Sequence, residues 1–323
     1  MPKVTDKTKR QIENLKAQTI GVEVEMNNIT RSDAAKVAAE FFGTNRYQDT
    51  QRRNGYFTWS AWDAQGREWK FQKDTSIRGD DAHKCEMVTP ILHYDDIEML
   101  QQLCRVLRKA GARSDATRGC GVHIHIGANG HTAQTLRNLA NIMASHEQLL
   151  SDALKLDASR LTTYCKMVDP RFLSMLNQKK PTTMADLADI WYMGNRATQG
   201  RNQHYNYSRY HMLNLHATFT KGTIEFRLFQ FDKPGTTLDG KHYYGGIHAG
   251  QLKAYIQLCL ALSEMAKEIK NASPKPQQTE NPKFAMRTWL IRLGMVGDEF
   301  KTARDVLTRN LQGDAAFRYG RAA

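Results

Sequence analysis

Three short segments of alternating character constrain this chain more than any other feature. In GVEVEM (21–26), Val22, Val24 and Met26 fall on one side of a strand, and Glu23 and Glu25 on the other. In CGVHIHIG (120–127), Val122, Ile124 and Ile126 oppose Gly121, His123, His125 and Gly127. In TIEFRLF (223–229), Ile224, Phe226 and Leu228 alternate with Glu225 and Arg227. Side chains on a strand repeat every two residues, so each segment turns an apolar face toward a core and an ionisable pair the other way. The second faces carry Glu–Glu, His–His and Glu–Arg where Thr, Ser or Gln would serve for solvation.

Any one such segment is compatible with a solvated face. Three of them in one sheet would crowd carboxylates that repel unless cations lie between them. Carboxylate oxygen with some imidazole nitrogen suits Mg2+ or Mn2+, and the absence of thiolates from the set argues against a zinc-type site. Glu86 in KCEMVTP and Asp74 in KDTSI join the set, each at the end of a short strand; Asp74 is equally well read as an Asx turn. The glycines at 119, 121 and 127 give an anion room to approach the backbone or simply punctuate the strand. Neither a GxxxxGK[ST] loop nor a GxGxxG is present, so bound phosphates would depend on bridging cations and arginines. Arg227, on the same face as Glu225, is placed for that work or for an ion pair with a neighbouring Glu.

The rest of the chain reads as interleaved helices and strands. A basic, polar lead-in occupies 1–18. Helices are predicted after Ser32, from Asp95 to Gly111 with Glu98 as capping partner, from Thr132 to about Leu156, and over 250–270. YFTWSAW (56–62) and REWKFQ (67–72) predict an antiparallel hairpin, and a strand is expected near 211–218. The stretch 157–218 is basic and aromatic and gives no clear periodicity. N271–K283 holds three of the eight prolines and reads as a linker, followed by a small helical segment, 284–323, whose helices open at Asn281-Pro282 and Asp298. The hairpin favours an α+β architecture with a mixed, largely antiparallel sheet over a doubly wound parallel one.

Composition narrows the classes. There are 46 Lys and Arg against 33 Asp and Glu, a net charge of +13, which points to anionic partners. The surplus is localised: residues 160–221 hold nine basic and three acidic residues, and residues 267–323 hold eleven and six. Five cysteines without a CxxC pair argue against a disulfide framework and for reduced thiols in a cytoplasm. No apolar run reaches the length of a membrane span, and MPKVTDKTKRQIENLK has no apolar core of a secretory signal. Residues 196–210, with Arg196, Arg201 and Arg209 among Tyr205, Tyr207 and Tyr210, read either as a loop flanking the site or as a surface for single-stranded nucleic acid.

The ordered set GVEVEM, D-x-S (74–76), E-x-V-T-P (86–90), CGVHIHIG, RYHMLNL (209–215) and TIEFRLF resembles the amidoligase family of phages, bacteria and fungi, over residues 19 to about 265. That family belongs to the carboxylate–amine ligases related to glutamine synthetase and glutamate–cysteine ligase. The resemblance implies a glutamine-synthetase-like catalytic domain over 19–270, with a curved, mostly antiparallel sheet flanked by helices. It implies ATP and Mg2+ (or Mn2+), with Glu23, Glu25, Glu86, His123 and Glu225 as metal and nucleotide ligands. Arg227 matches the phosphate-contacting arginine, and Arg209 and Asn214 match a substrate- or phosphate-binding motif. The implied reaction phosphorylates a carboxylate with ATP to an acyl phosphate, from which an amine displaces phosphate to give an amide; His125 and Asp74 are the candidates for general base. Small-molecule or peptide carboxylates and amines are the implied substrates, and the chain selects none of them. The rival readings are a metal-dependent phosphoesterase or nuclease, which would favour Asp over the four Glu present, and a non-catalytic nucleic-acid-binding or structural protein.

Overall fold

The computed structural model describes residues 5–51, 55–233, 235–236, 240–243, 246–276 and 279–319. Residues 1–4 of the lead-in, 277–278 of the expected linker and 320–323 of the terminal segment lie outside them. In chain order the elements are α1 (Asp6–Lys16), β1 (Ile20–Met26), α2 (Arg31–Phe41), β2 (Tyr47–Gln51), β3 (Thr58–Trp62), β4 (Glu68–Gln72) and β5 (Cys85–Val88). There follow α3 (Ile97–Lys109), β6 (Val122–Gly127), α4 (Ala133–Leu154), α5 (Ala158–Thr163), α6 (Pro170–Lys179), α7 (Met184–Gly194), β7 (Leu213–Asn214), α8 (His216–Lys221) and β8 (Thr223–Phe229). The last are β9 (Gly235–Thr236), β10 (His242–Tyr243), α9 (Ala249–Glu268), α10 (Pro282–Arg292) and α11 (Lys301–Thr308). The chain is a mixture of helix and antiparallel sheet, organised in two compact units.

The first unit, residues 19–124 with 229–253, is built on strands. Its strand order is β2-β3-β4-β5-β1-β6, and the pairs from β2 to β1 are antiparallel. The predicted hairpin is present: Trp59 faces Phe71 and Ala61 faces Trp69 across β3 and β4. Trp69 and Phe71 are fully buried, and α2 lies over these strands through Ala34, Ala35, Ala38 and Ala39, whose small side chains permit close approach. The α3 stripe, Ile97, Leu100, Leu103, Cys104 and Leu107, is buried as its spacing predicts. Its start differs: a 3-10 turn over Tyr94–Asp96 precedes it, and Asp96 rather than Glu98 closes the capping box by accepting the His93 N–H at 2.8 Å. Asp96 is also gripped by Arg67, which donates to Asp63 at the hairpin turn and so ties that turn to α3.

The second unit, residues 1–18, 125–228 and 254–323, is mostly helical. It contains the latter half of β6, followed by β8 and β7. Helices α4, α6 and α7 pack in succession, and α11 returns against α4. Both basic stretches, 160–221 and 267–323, belong to this unit. The expected strand near 211–218 is only two residues long, because Asn214 Oδ1 accepts the His216 N–H at 2.9 Å and turns the chain into α8. Gly222, at φ 71°, then ends α8 in the left-handed conformation and releases the chain into β8.

Candidate active site

The strand unit assembles a buried carboxylate–histidine group from three neighbouring strands. Antiparallel pairing of β1 with β5 sets Glu25 directly opposite Glu86, and pairing of β5 with β4 sets Glu86 opposite Gln72. Glu25 and Glu86 are only 4% and 5% exposed, so the ionisable face is covered, not solvated. Each has a specific partner: the Gly121 N–H donates to Glu25 Oε2 at 2.6 Å, and Gln72 Nε2 donates to Glu86 Oε2 at 2.8 Å. His123 reaches both glutamates of β1, with Nδ1 2.9 Å from Glu23 Oε2 and Nε2 3.8 Å from Glu25 Oε1. A carboxylate accepts, so His123 Nδ1 donates to Glu23.

Two overlapping donor sets result. Glu23, Glu86 and His123 offer ligand atoms within 4.8 Å of one another, and Glu25, Asp74 and Glu86 do the same. Burial raises the Glu86 pKa well above the usual carboxylate range, and the charges of Glu23, Asp74 and Glu25 raise it further; only the Gln72 hydrogen bond opposes them. Buried like charges at this spacing are costly without a cation. Hard oxygens with one imidazole fit a divalent ion of the Mg2+ or Mn2+ type. Asp74 makes the Asx turn that was the simpler of its two readings, its Oδ1 accepting the Ser76 N–H at 2.7 Å and the Ser76 hydroxyl at 2.6 Å.

The helical unit gathers the other candidates. Arg227 Nη1 donates to Glu225 Oε1, and Asn214 Nδ2 donates to Glu225 Oε2 at 2.6 Å. Glu225 and Arg227 are 2% and 4% exposed. Arg227 is held at both ends, its Nε donating to Tyr164 O at 3.5 Å and its own carbonyl accepting from Arg160 at 3.1 Å. Its guanidinium lies 5.8 Å from the Tyr210 ring centroid. The Arg227–Glu225 ion pair foreseen as the simpler role of Arg227 is therefore made. His125 Nδ1 lies 3.0 Å from Thr223 Oγ1.

A pocket of about 180 Å³ opens beside these residues, lined by Arg209, Asn214, His216, Thr220, Lys221 and Glu225 among others. Arg209 Nη1 donates to His204 O at 2.9 Å. Burial, then the charge of Arg209, lowers the His216 pKa, so that ring is neutral near pH 7. Gln72, Tyr164 and the α8 residues His216, Thr220 and Lys221 were not singled out in the sequence. Gln72 had a signal in the alternation of REWKFQ, which puts it on one face with Lys70; the others depend on backbone atoms or on the turn after Asn214.

Comparison with known proteins gives the family. The chain belongs to the amidoligase family: the family model described as "Putative amidoligase enzyme" matches residues 16–263. That family is described as one of amidoligase enzymes. Among solved structures, it is similar to a bifunctional glutathione synthetase from Pasteurella multocida, with 12% identity and a TM-score of 0.46. That similarity covers 94% of this chain and 48% of the other, so this chain spans about half its length. No curated protein matches the sequence. Among the described residues, no helix is long and apolar enough to cross a membrane.

Proposed function

We propose that this chain is an ATP- and Mg2+-dependent (or Mn2+-dependent) carboxylate–amine ligase that forms its amide through an acyl phosphate, on a glutamine-synthetase-like catalytic domain spanning residues 19–270. The observation that carries the reading is the register-opposed, buried pair Glu25 and Glu86 with His123 beside them. Glu23, Glu25, Glu86 and His123 would hold the divalent cation. The cation supplies positive charge that offsets repulsion between two anionic reactants.

The acid substrate's carboxylate oxygen attacks the γ-phosphorus of ATP, and ADP leaves with the electron pair of the broken P–O bond. The amine nitrogen then attacks the acyl carbon, phosphate departs with the C–O pair, and the amine loses a proton. Arg227, held by Glu225 and Tyr164, stabilises the transferring phosphoryl group. Arg209 and Asn214 bind phosphate or substrate in the pocket they line. Of the two candidate bases, Asp74 already accepts two hydrogen bonds from Ser76, which favours His125. The five free, buried cysteines suit a reducing compartment, the cytoplasm.

The test is ADP release with Mg2+ across a panel of small-molecule and peptide carboxylates and amines, wild type against Glu25→Gln. ADP is expected only when both a carboxylate and an amine are present, and is expected to vanish in the variant while the fold is kept. Release that ignores the panel would leave only an ATPase, and cleavage of nucleic acid without ATP would make the chain a nuclease.

A further inference from the structure

Residues 196–210, RATQGRNQHYNYSRY, contain three arginines, three tyrosines, a histidine and no acid. The loop is anchored from beneath by a polar framework. Asn206 is fully buried: its Nδ2 donates to the carbonyls of Gln199 and Gly200 at 3.3 Å each, and its Oδ1 accepts the N–H and hydroxyl of Ser208 at 3.0 and 2.7 Å. Trp191 Nε1 donates to that same Ser208 hydroxyl at 2.9 Å, and Gln199 Oε1 accepts the Tyr207 N–H at 3.2 Å. Held this way, Tyr205 and Tyr207 are 56% and 68% exposed.

The rings and guanidinium above the framework form a continuous row. His204 meets Tyr205 at 4.7 Å, Arg209 lies 5.6 Å from Tyr205 and 5.8 Å from Tyr210, and Tyr210 lies 6.3 Å from Tyr207. Arg201 lies 5.1 Å from the Tyr192 ring centroid and is paired with Asp189 at 2.7 Å, but both side chains of the pair are more than half exposed, so a phosphate can compete for it. A fixed loop that presents aromatic faces to water amid arginines fits a ligand that offers both flat rings and negative charge.

We infer that this loop is a docking surface for single-stranded nucleic acid. Arginine charge alone would serve an acidic peptide as well; the exposed rings are what an unpaired base uses and a carboxylate does not. A duplex keeps its base faces stacked inside and has nothing to offer Tyr205 and Tyr207. The surrounding stretch 160–221, with nine basic residues against three acidic, supplies the longer-range attraction. This inference stands apart from the ligase reading, and of the row's side chains Arg209 also lines the pocket used there.

The experiment is fluorescence anisotropy of a labelled oligothymidylate of about 20 nucleotides against the full chain. Binding is expected to weaken linearly on a log–log salt scale, by about 0.7 per phosphate contacted. The double variant Tyr205→Ala/Tyr207→Ala should bind roughly tenfold or more weaker with an unchanged salt slope, while Arg201→Gln should reduce the slope. Both tyrosines are exposed and outside the pocket, so the double variant should keep wild-type melting and ADP release. No binding, equal binding by the double variant, or equal competition by polyglutamate, by anionic phospholipid vesicles or by a duplex of the same length would overturn the inference.

Discussion

Glu25 and Glu86 occupy directly opposed positions across the antiparallel β1–β5 pair, both nearly fully buried. Like charges facing each other across a sheet destabilise it, so this pair weakens the cation-free protein.

Glu86→Gln should therefore raise the melting temperature without cation by about 2 °C or more. The same variant should lose most of the rise that Mg2+ gives the wild type, because a ligand that binds only the folded state stabilises by mass action. Thermal melts with and without Mg2+ check both halves, and an undiminished Mg2+ response in the variant would contradict the ligand assignment.

Arg227 is expected to separate stability from catalysis. Arg227→Ala leaves buried Glu225 with Asn214 but without its cation, and should cost roughly 3 kcal/mol in a urea titration. Arg227→Lys keeps the charge and loses the fork geometry, so ADP release should fall about 100-fold or more with far less destabilisation. Equal loss of stability in both variants would argue for a purely structural arginine.

Glu147, buried in α4, has its pKa pushed up to about 7 by desolvation, against a lowering by the Val168 N–H it accepts. Its folded-state pKa lies above its unfolded one, so the folded state binds the extra proton. The stability of the wild type relative to Glu147→Gln should then fall as pH rises from about 4.5 to about 7 and stay level above, a change on the order of 3 kcal/mol. Urea titrations of both proteins at pH 5 and pH 8 measure it; a constant difference would exclude Glu147 as the source.

Gly313→Ala should destabilise by about 1–3 kcal/mol. Gly313 has φ 97°, and a Cβ there would overlap Asn281 Oδ1. Asn281 caps α10 through the Phe284 N–H and donates to the carbonyls of Asp314, Phe317 and Arg318, so displacing it loosens the whole terminal turn. Thermal melting checks this, and a wild-type melting temperature would show that the turn relaxes freely.

All five cysteines are buried, and desolvation raises their thiol pKa values, Cys104 to about 12. Native protein at pH 8 should react with no equivalents of a thiol reagent within minutes, and with five after unfolding in urea. Fast labelling of any native thiol would show local opening.

The faces of β1, β6 and β8 were legible from alternation alone, because period two is a local property. The facing of Glu86 toward Glu25 was not, since it depends on which residue of β5 stops opposite β1. Helices α5 to α7 were missed in a basic, aromatic stretch without a clean apolar stripe. Their starts were nevertheless written there: Asp157, Asp169 before Pro170, and Thr183 each accept an N–H of the first turn. The strand expected near 211–218 is only Leu213–Asn214 because Asn214 turns the backbone, a hydrogen bond that hydrophobic pattern does not encode.

The opposition of Glu25 and Glu86 also bears on how the sheet is proofread. A slip of one residue in β1 against β5 would send Glu25 to the apolar side and bring Val24 or Met26 opposite Glu86. The cluster exists only in the native pairing, so an ion that binds it rewards correct alignment and nothing else. Added during refolding, a divalent cation would select the aligned sheet from its slipped competitors and act as an inspector of assembly before it takes any part in turnover.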